Sequence, residues 1–125
     1  MALVRVAIAL ASRLSTFLWG SCPDEELLEL AERGSILHPD VLDRTVTRML
    51  ADPKSEEFVR HFTGQWLELR KIDATIPDPN LYGDFDGTLL WAMPEETRRF
   101  FELVLREDRS VLEFVDSPWT ILNRR

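Results

Sequence analysis

Apolar residues recur at three- and four-residue spacing along most of the chain, and no stretch alternates at period two between turn signals. The pattern therefore predicts an all-α fold. Val6, Leu10, Leu14 and Phe17 mark the inward face of a first helix over 3–19, and Gly20 suits the left-handed position that closes it. A second helix is expected over 23–33. Ser21 or Cys22 would cap it, Pro23 fits its first turn, Asp24, Glu25 and Glu26 favour its N-terminal dipole, and Gly34 ends it. A third helix starts at His38 and Pro39, with Leu42, Val46, Met49 and Leu50 facing inward.

Asp52 and Pro53 end one helix and begin the next at once, the carboxylate accepting from free backbone N–H groups and the proline setting φ. In this fourth helix, over 53–70, Phe58, Phe62, Trp66 and Leu69 recur at helical spacing and predict a buried stripe on which the first and fifth helices dock. Gly64 suggests close approach of a neighbouring helix. Periodicity vanishes near residues 71–84, where Pro77, Pro79, Asn80 and Gly83 mark a long loop. A fifth helix follows over 85–106, and Pro94 inside it predicts a kink or break near 91–94, since it removes a backbone hydrogen bond and clashes with the preceding turn. Ser110 can cap a short turn reaching Val115, after which Asp116, Ser117 and Pro118 lead to Trp119, Ile121 and Leu122. Those three apolar residues need a partner and are the candidate interaction surface.

The expected architecture is a compact array of five to six helices, antiparallel or orthogonal, in a single domain spanning 1–125. The formal charge of −7, from 22 acidic and 15 basic residues, opposes binding to a phosphate backbone, so no nucleic-acid partner is expected. Basic pairs occur at Arg70/Lys71, Arg98/Arg99 and Arg124/Arg125, the first two beside acids. The N-terminal apolar run Val6 to Ala11 is too short for a signal peptide and continues at helical spacing through Arg13, which predicts a packed amphipathic helix and no membrane span. Cys22 is the only cysteine, so neither an internal disulfide nor a CxxCH haem-attachment site is available.

Four blocks in order, ALASRLSTFLWGS (9–21), PDEELLELA (23–31), MLADPKSEEFVRHFTGQWLELRKIDAT (49–75) and ETRRFFELVLREDRSVLEFVD (96–116), make the chain resemble the planctomycete-type domain of unknown function fifteen-ninety-two. The resemblance implies a helical module within larger extracytoplasmic proteins, where neighbouring domains are its partners and often include a cytochrome c-like domain carrying haem c. It implies no catalytic residue, and no cofactor in this segment. Three features depart from the family pattern, one being a start that lacks the expected leader and upstream domains. Pro94 stands where an ordinary helix former is expected, and the tail SPWTILNRR resembles the start of a longer family segment, as in a truncated or excised module.

Candidate chemistry is sparse. Asp78, Asn80, Asp84 and Asp86 offer oxygen ligands near a glycine, but Tyr82 and Leu89 occupy positions where an EF-hand needs ligands, so turn and cap duties compete with metal binding. Glu95, Glu96, Glu102 and Glu107 interleave with Arg98, Arg99 and Arg106 as ion pairs on a solvated face would. His38 and His61 lack partners at metal-ligand spacing apart from Glu57. Trp19, Trp66, Trp91 and Trp119 could line a pocket, although aromatics at helical spacing are more often core. The leading expectation is a non-catalytic accessory and interaction module. The alternative is part of a metal- or haem-linked redox enzyme or hydrolase whose site neighbouring domains complete.

Overall fold

The structure, a computed structural model, describes residues 1–122, so Asn123 and the basic pair Arg124/Arg125 lie outside the described residues. Among the described residues there are five α-helices, four 3₁₀ segments and no strand, as the all-α pattern predicts. They gather into two compact units, Met1–Phe58 and Val59–Arg125.

In the first unit, helix α1 (Ala2–Trp19) closes at Gly20, whose φ of 61° lets its N–H reach the Thr16 carbonyl. Its buried residues are Ala7, Ala11, Ser15, Leu18 and Trp19. This corrects the expected inward face: Leu10 and Leu14 are half-buried, while Val6 and Phe17 are 56% and 62% exposed. The cause is size. Alanine and serine at positions 7, 11 and 15 leave room for helix α2 (Glu25–Glu32) to pack on α1, and larger side chains are displaced to the shoulder. Leu27 of α2, Ile36 of the 3₁₀ turn Ser35–Leu37 and Met49 of α3 (Pro39–Ala51) complete the core with no exposure. Burying side chains of this size contributes about 1.5–3 kcal/mol each.

The cap of α2 is Asp24, neither Ser21 nor Cys22. Its Oδ1 accepts the Leu27 N–H at 2.9 Å while Oδ2 accepts from Arg48 on α3 at 2.7 Å, so one carboxylate both starts α2 and ties it to α3. Asp52 behaves as expected, its Oδ1 accepting the Lys54 N–H at 2.8 Å. Pro53–Ser55 form a 3₁₀ turn, however, so α4 begins only at Glu56 and runs to Trp66.

Helix α4 crosses the division between the units, and its expected stripe is corrected too. Val59, Thr63 and Gly64 are its buried residues, Phe58 and Leu69 are half-buried, and Phe62 and Trp66 are exposed to 38% and 52%. Phe58 meets Phe17 of α1 with ring centroids 5.0 Å apart. Phe62 and Trp66 instead lie 5.4 and 6.3 Å from Phe101, on α5 of the second unit. Gly64 makes room for the side chain of Arg70, whose Nε would lie 3.2 Å from an added Cβ, and not for another helix. Arg70 comes back because Glu68, at φ 53°, reverses the chain into a 3₁₀ segment, Leu69–Ala74. That segment takes up the start of the loop expected near residues 71–84.

Helix α5 spans Gly87–Arg106 without a break, with Asp86 capping it through the Leu89 N–H at 2.8 Å. The break expected near Pro94 is absent. Proline forfeits only its own bond to the Leu90 carbonyl, the rest of a 20-residue helix continues around it, and its ring is buried. Beyond α5, the 3₁₀ turn Val111–Phe114 is capped by Ser110 Oγ, which accepts from the Leu112 N–H. Phe114 stacks on Phe101 at 5.3 Å and meets the edge of Trp66 at 5.7 Å, so the second unit is organised by aromatic rings.

Candidate interaction surface

Helix α1 presents two apolar faces, and only one is filled. Opposite the shoulder of its buried alanines, Leu3 and Val6 are 70% and 56% exposed, half-buried Leu10 reaches the core, and Phe17 meets Phe58 with part of its ring while staying 62% exposed. Its only charged residues, Arg5 and Arg13, are exposed and make no ion pair within the described residues. Helix α1 is also the one helix among the described residues long and apolar enough to cross a membrane, with mean hydropathy 1.4. Core helices and signal sequences share that property, and its buried side carries the centre of the first unit's core.

The tail residues singled out from the sequence fare differently from one another. Trp119 is half-buried and held on three sides. Its ring stacks on Phe100 at 4.5 Å, its Nε1–H donates to Glu113 at 2.9 Å, and the Arg109 guanidinium lies 4.7 Å over it. Ile121 is half-buried as well, whereas Leu122 is 77% exposed. The structure therefore separates Leu122, open to a partner, from Trp119, which already has one within its own unit.

The polar candidates are occupied locally. Asp78 Oδ1 accepts from the backbone N–H and the side-chain amide of Asn80, an Asx-type turn, and Asp86 is the cap of α5. Asp84 is exposed in the same loop. Among the described residues no three His, Cys, Asp or Glu side chains converge as a metal site would need. On α5, Glu95 pairs with Arg99 at 3.0 Å and Arg98 at 3.7 Å, and Glu102 pairs with Arg106 at 2.7 Å, forming a ladder along a half-buried face. His61 Nδ1 meets Arg70 at 2.9 Å, a contact made possible by the reversal at Glu68. Cys22 is exposed, and His38 precedes α3 without a side-chain capping bond.

A polar cluster that sequence reading missed lies in the first unit. Trp19 donates its Nε1–H to the Met49 carbonyl at 2.9 Å, and its ring is flanked by Lys54 at 4.7 Å and Arg48 at 5.6 Å. The Arg48 hydrogen bond, helped by the Leu27 N–H, holds the Asp24 carboxyl below its ordinary range against the opposing effect of burial. The same bond raises Arg48. Arg48 Nε lies 3.3 Å from Glu26 without the alignment of a hydrogen bond, beside a shallow cleft of about 360 Å³ bordered by Leu30, Val41 and Arg44. Its open form and mixed lining give it no convergent donor set for a small molecule. An acid at a helix start and an arginine facing it from the next helix were visible as residues, but their pairing depends on how α2 and α3 cross.

Two small helical units, with side chains engaged in caps, ladders and ring contacts and with a helix apolar on two sides, define an all-α protein whose open features are surfaces. Its family is shown directly: residues 6–125 match the family described as PSD4, protein of unknown function (DUF1592), and the chain belongs to it. No curated protein and no solved structure matches the chain.

Proposed function

We propose that the chain is an accessory helical interaction module, non-catalytic on its own, that packs against neighbouring domains of a larger protein. The reading extends to the planctomycete-type, extracytoplasmic, cytochrome c-associated setting that the resemblance to the family implies. In that setting any haem c belongs to a neighbouring domain, because the single cysteine Cys22 forms no CxxCH attachment site. The observation that carries the reading is the second apolar face of α1: Leu3, Val6 and Phe17 expose large side chains on a helix whose other face is already packed. In the second unit Val111, Leu112, Val115 and Leu122 are open apolar positions as well.

The test is photo-crosslinking in the longer protein, with a benzophenone amino acid replacing Val6 in one variant and Leu122 in another. Crosslinks to sequence outside residues 1–125 are the expected result. Their absence at both positions, with no adduct or with crosslinks only within the module itself, would contradict the proposal.

A further inference from the structure

On α1, Leu3, Val6, Leu10, Arg13 and Phe17 follow one another by steps of three, four, three and four residues. At ~100° per residue these steps keep all five on one narrow strip, the seam by which a helix meets a single partner helix. Four seam positions are apolar: Leu3 and Val6 are open, Phe17 is 62% exposed beside Phe58, and Leu10 is half-buried; the fifth, Arg13, is exposed and makes no ion pair among the described residues. The geometry points to an occupant of definite chemistry: an amphipathic helix of another domain or chain, with apolar residues at the same spacing and an Asp or Glu set opposite Arg13. The inference rests on the interaction-module reading and specifies its partner.

The length and charge of the seam narrow the choice. From Leu3 to Phe17 it extends ~21 Å, so the partner contributes about four helical turns. A second copy of α1 fits poorly, because α1 contains no acidic residue. In parallel pairing Arg13 would face Arg13, and in antiparallel pairing it would face an apolar position. An anionic membrane is opposed by the chain's overall charge of −7. A carboxylate on the partner both neutralises Arg13 and selects one register, as a single polar seam position does in coiled coils.

The experiment titrates the 125-residue chain with two labelled synthetic helices of about 20 residues. Both carry leucines at three–four spacing, and they differ only in Glu or Lys at the position meeting Arg13. The Glu peptide should bind about tenfold more tightly or better, a preference worth ~1.4 kcal/mol. Arg13→Glu should reverse the ranking, and Val6→Gln or Leu3→Gln should weaken both peptides. These positions are exposed, so circular dichroism should show parental helix content in every variant. Equal affinities, no binding of either peptide, or an unchanged ranking in Arg13→Glu would overturn the inference. So would a sedimentation-equilibrium dimer abolished by Val6→Gln, or flotation with phosphatidylcholine/phosphatidylglycerol vesicles that Val6→Gln abolishes. If the peptide preference fails while position 6 still crosslinks in the longer protein, only the acidic helix is lost; failure of both removes the module reading as well.

Discussion

The first unit encloses small and aliphatic side chains, whereas the second is held by rings that touch one another while part of their surface stays open. Ala7, Ala11, Leu27, Ile36 and Met49 have no exposure, and Trp19 is fixed by a hydrogen bond to the Met49 carbonyl. In the second unit Phe101 is buried among Phe62, Trp66 and Phe114, yet Trp66 is half exposed. Close approach of helix backbones selects small residues for the centre of a contact and leaves large ones to the shoulders. A shoulder can then close on a neighbour within its unit, as Phe62 and Trp66 do, or remain open, as Leu3 and Val6 do.

The contrast sets the size of mutational effects. Leu27→Ala should cost the most, ~2–5 kcal/mol, because it leaves a cavity among residues already at full packing. Trp66→Ala should cost only about 1–2 kcal/mol despite removing a larger side chain, since half of the ring is in solvent. Urea unfolding of both variants checks the order, and a Trp66 loss equal to that of Leu27 would erase the distinction. Ala11→Leu should come between them, at ~1–3 kcal/mol, by forcing α2 away from α1.

Asp24 sharpens the comparison through pH. Its folded-state carboxyl lies below the usual value of 3.8, chiefly because of the Arg48 hydrogen bond. Its contribution is therefore fully present above the unfolded-state value and is lost as pH falls from about 4 through the lower folded value. Asp24→Asn keeps a capping oxygen and removes the ion pair, so the variant should lose less stability between pH 6 and pH 3 than the parent. Asp24→Ala also removes the cap, at a further cost of ~1 kcal/mol near neutral pH. Thermal melts across that range measure both effects. The smallest effect is expected at Glu68, where φ of 53° strains a residue with a Cβ. Glu68→Gly should raise stability by about 1 kcal/mol or less, the gain reduced by loss of the exposed Lys71 ion pair at 2.9 Å.

Much of the fold was legible because its signals are local. Gly20, Gly34, the Asp52–Pro53 junction, the start of α3 and the Ser110 cap each depend on a few adjacent residues, and the structure places them where their chemistry predicts. What was not legible depends on contacts distant in sequence. The pairing of Asp24 with Arg48, 24 residues away, depends on how α2 and α3 meet, although the cap Asp24 itself makes to the Leu27 N–H is local. The inward faces of α1 and α4 were misjudged because periodicity weights large apolar residues, while close approach places Ala7, Ala11, Thr63 and Gly64 inside. Gly64 was read as room for a helix, and it is room for Arg70, returned by a backbone reversal that Glu68 does not announce. For the candidate surface, the tail residues were visible as unpaired apolar positions. The open seam of α1 is hidden in the sequence because three of its residues, Val6, Leu10 and Phe17, carry the spacing expected of a core face.

The account stands on the claim that α1 has one filled and one open apolar face. Thiol labelling of Val6→Cys and Ala11→Cys, each in a Cys22→Ser background of the folded 125-residue chain, tests it most directly. Cysteine at position 6 should react at nearly the rate of an unfolded peptide, and cysteine at position 11 should react only through unfolding, slower by orders of magnitude. Comparable protection at the two positions would show that the outer face is covered within the chain itself, and the open seam would be contradicted.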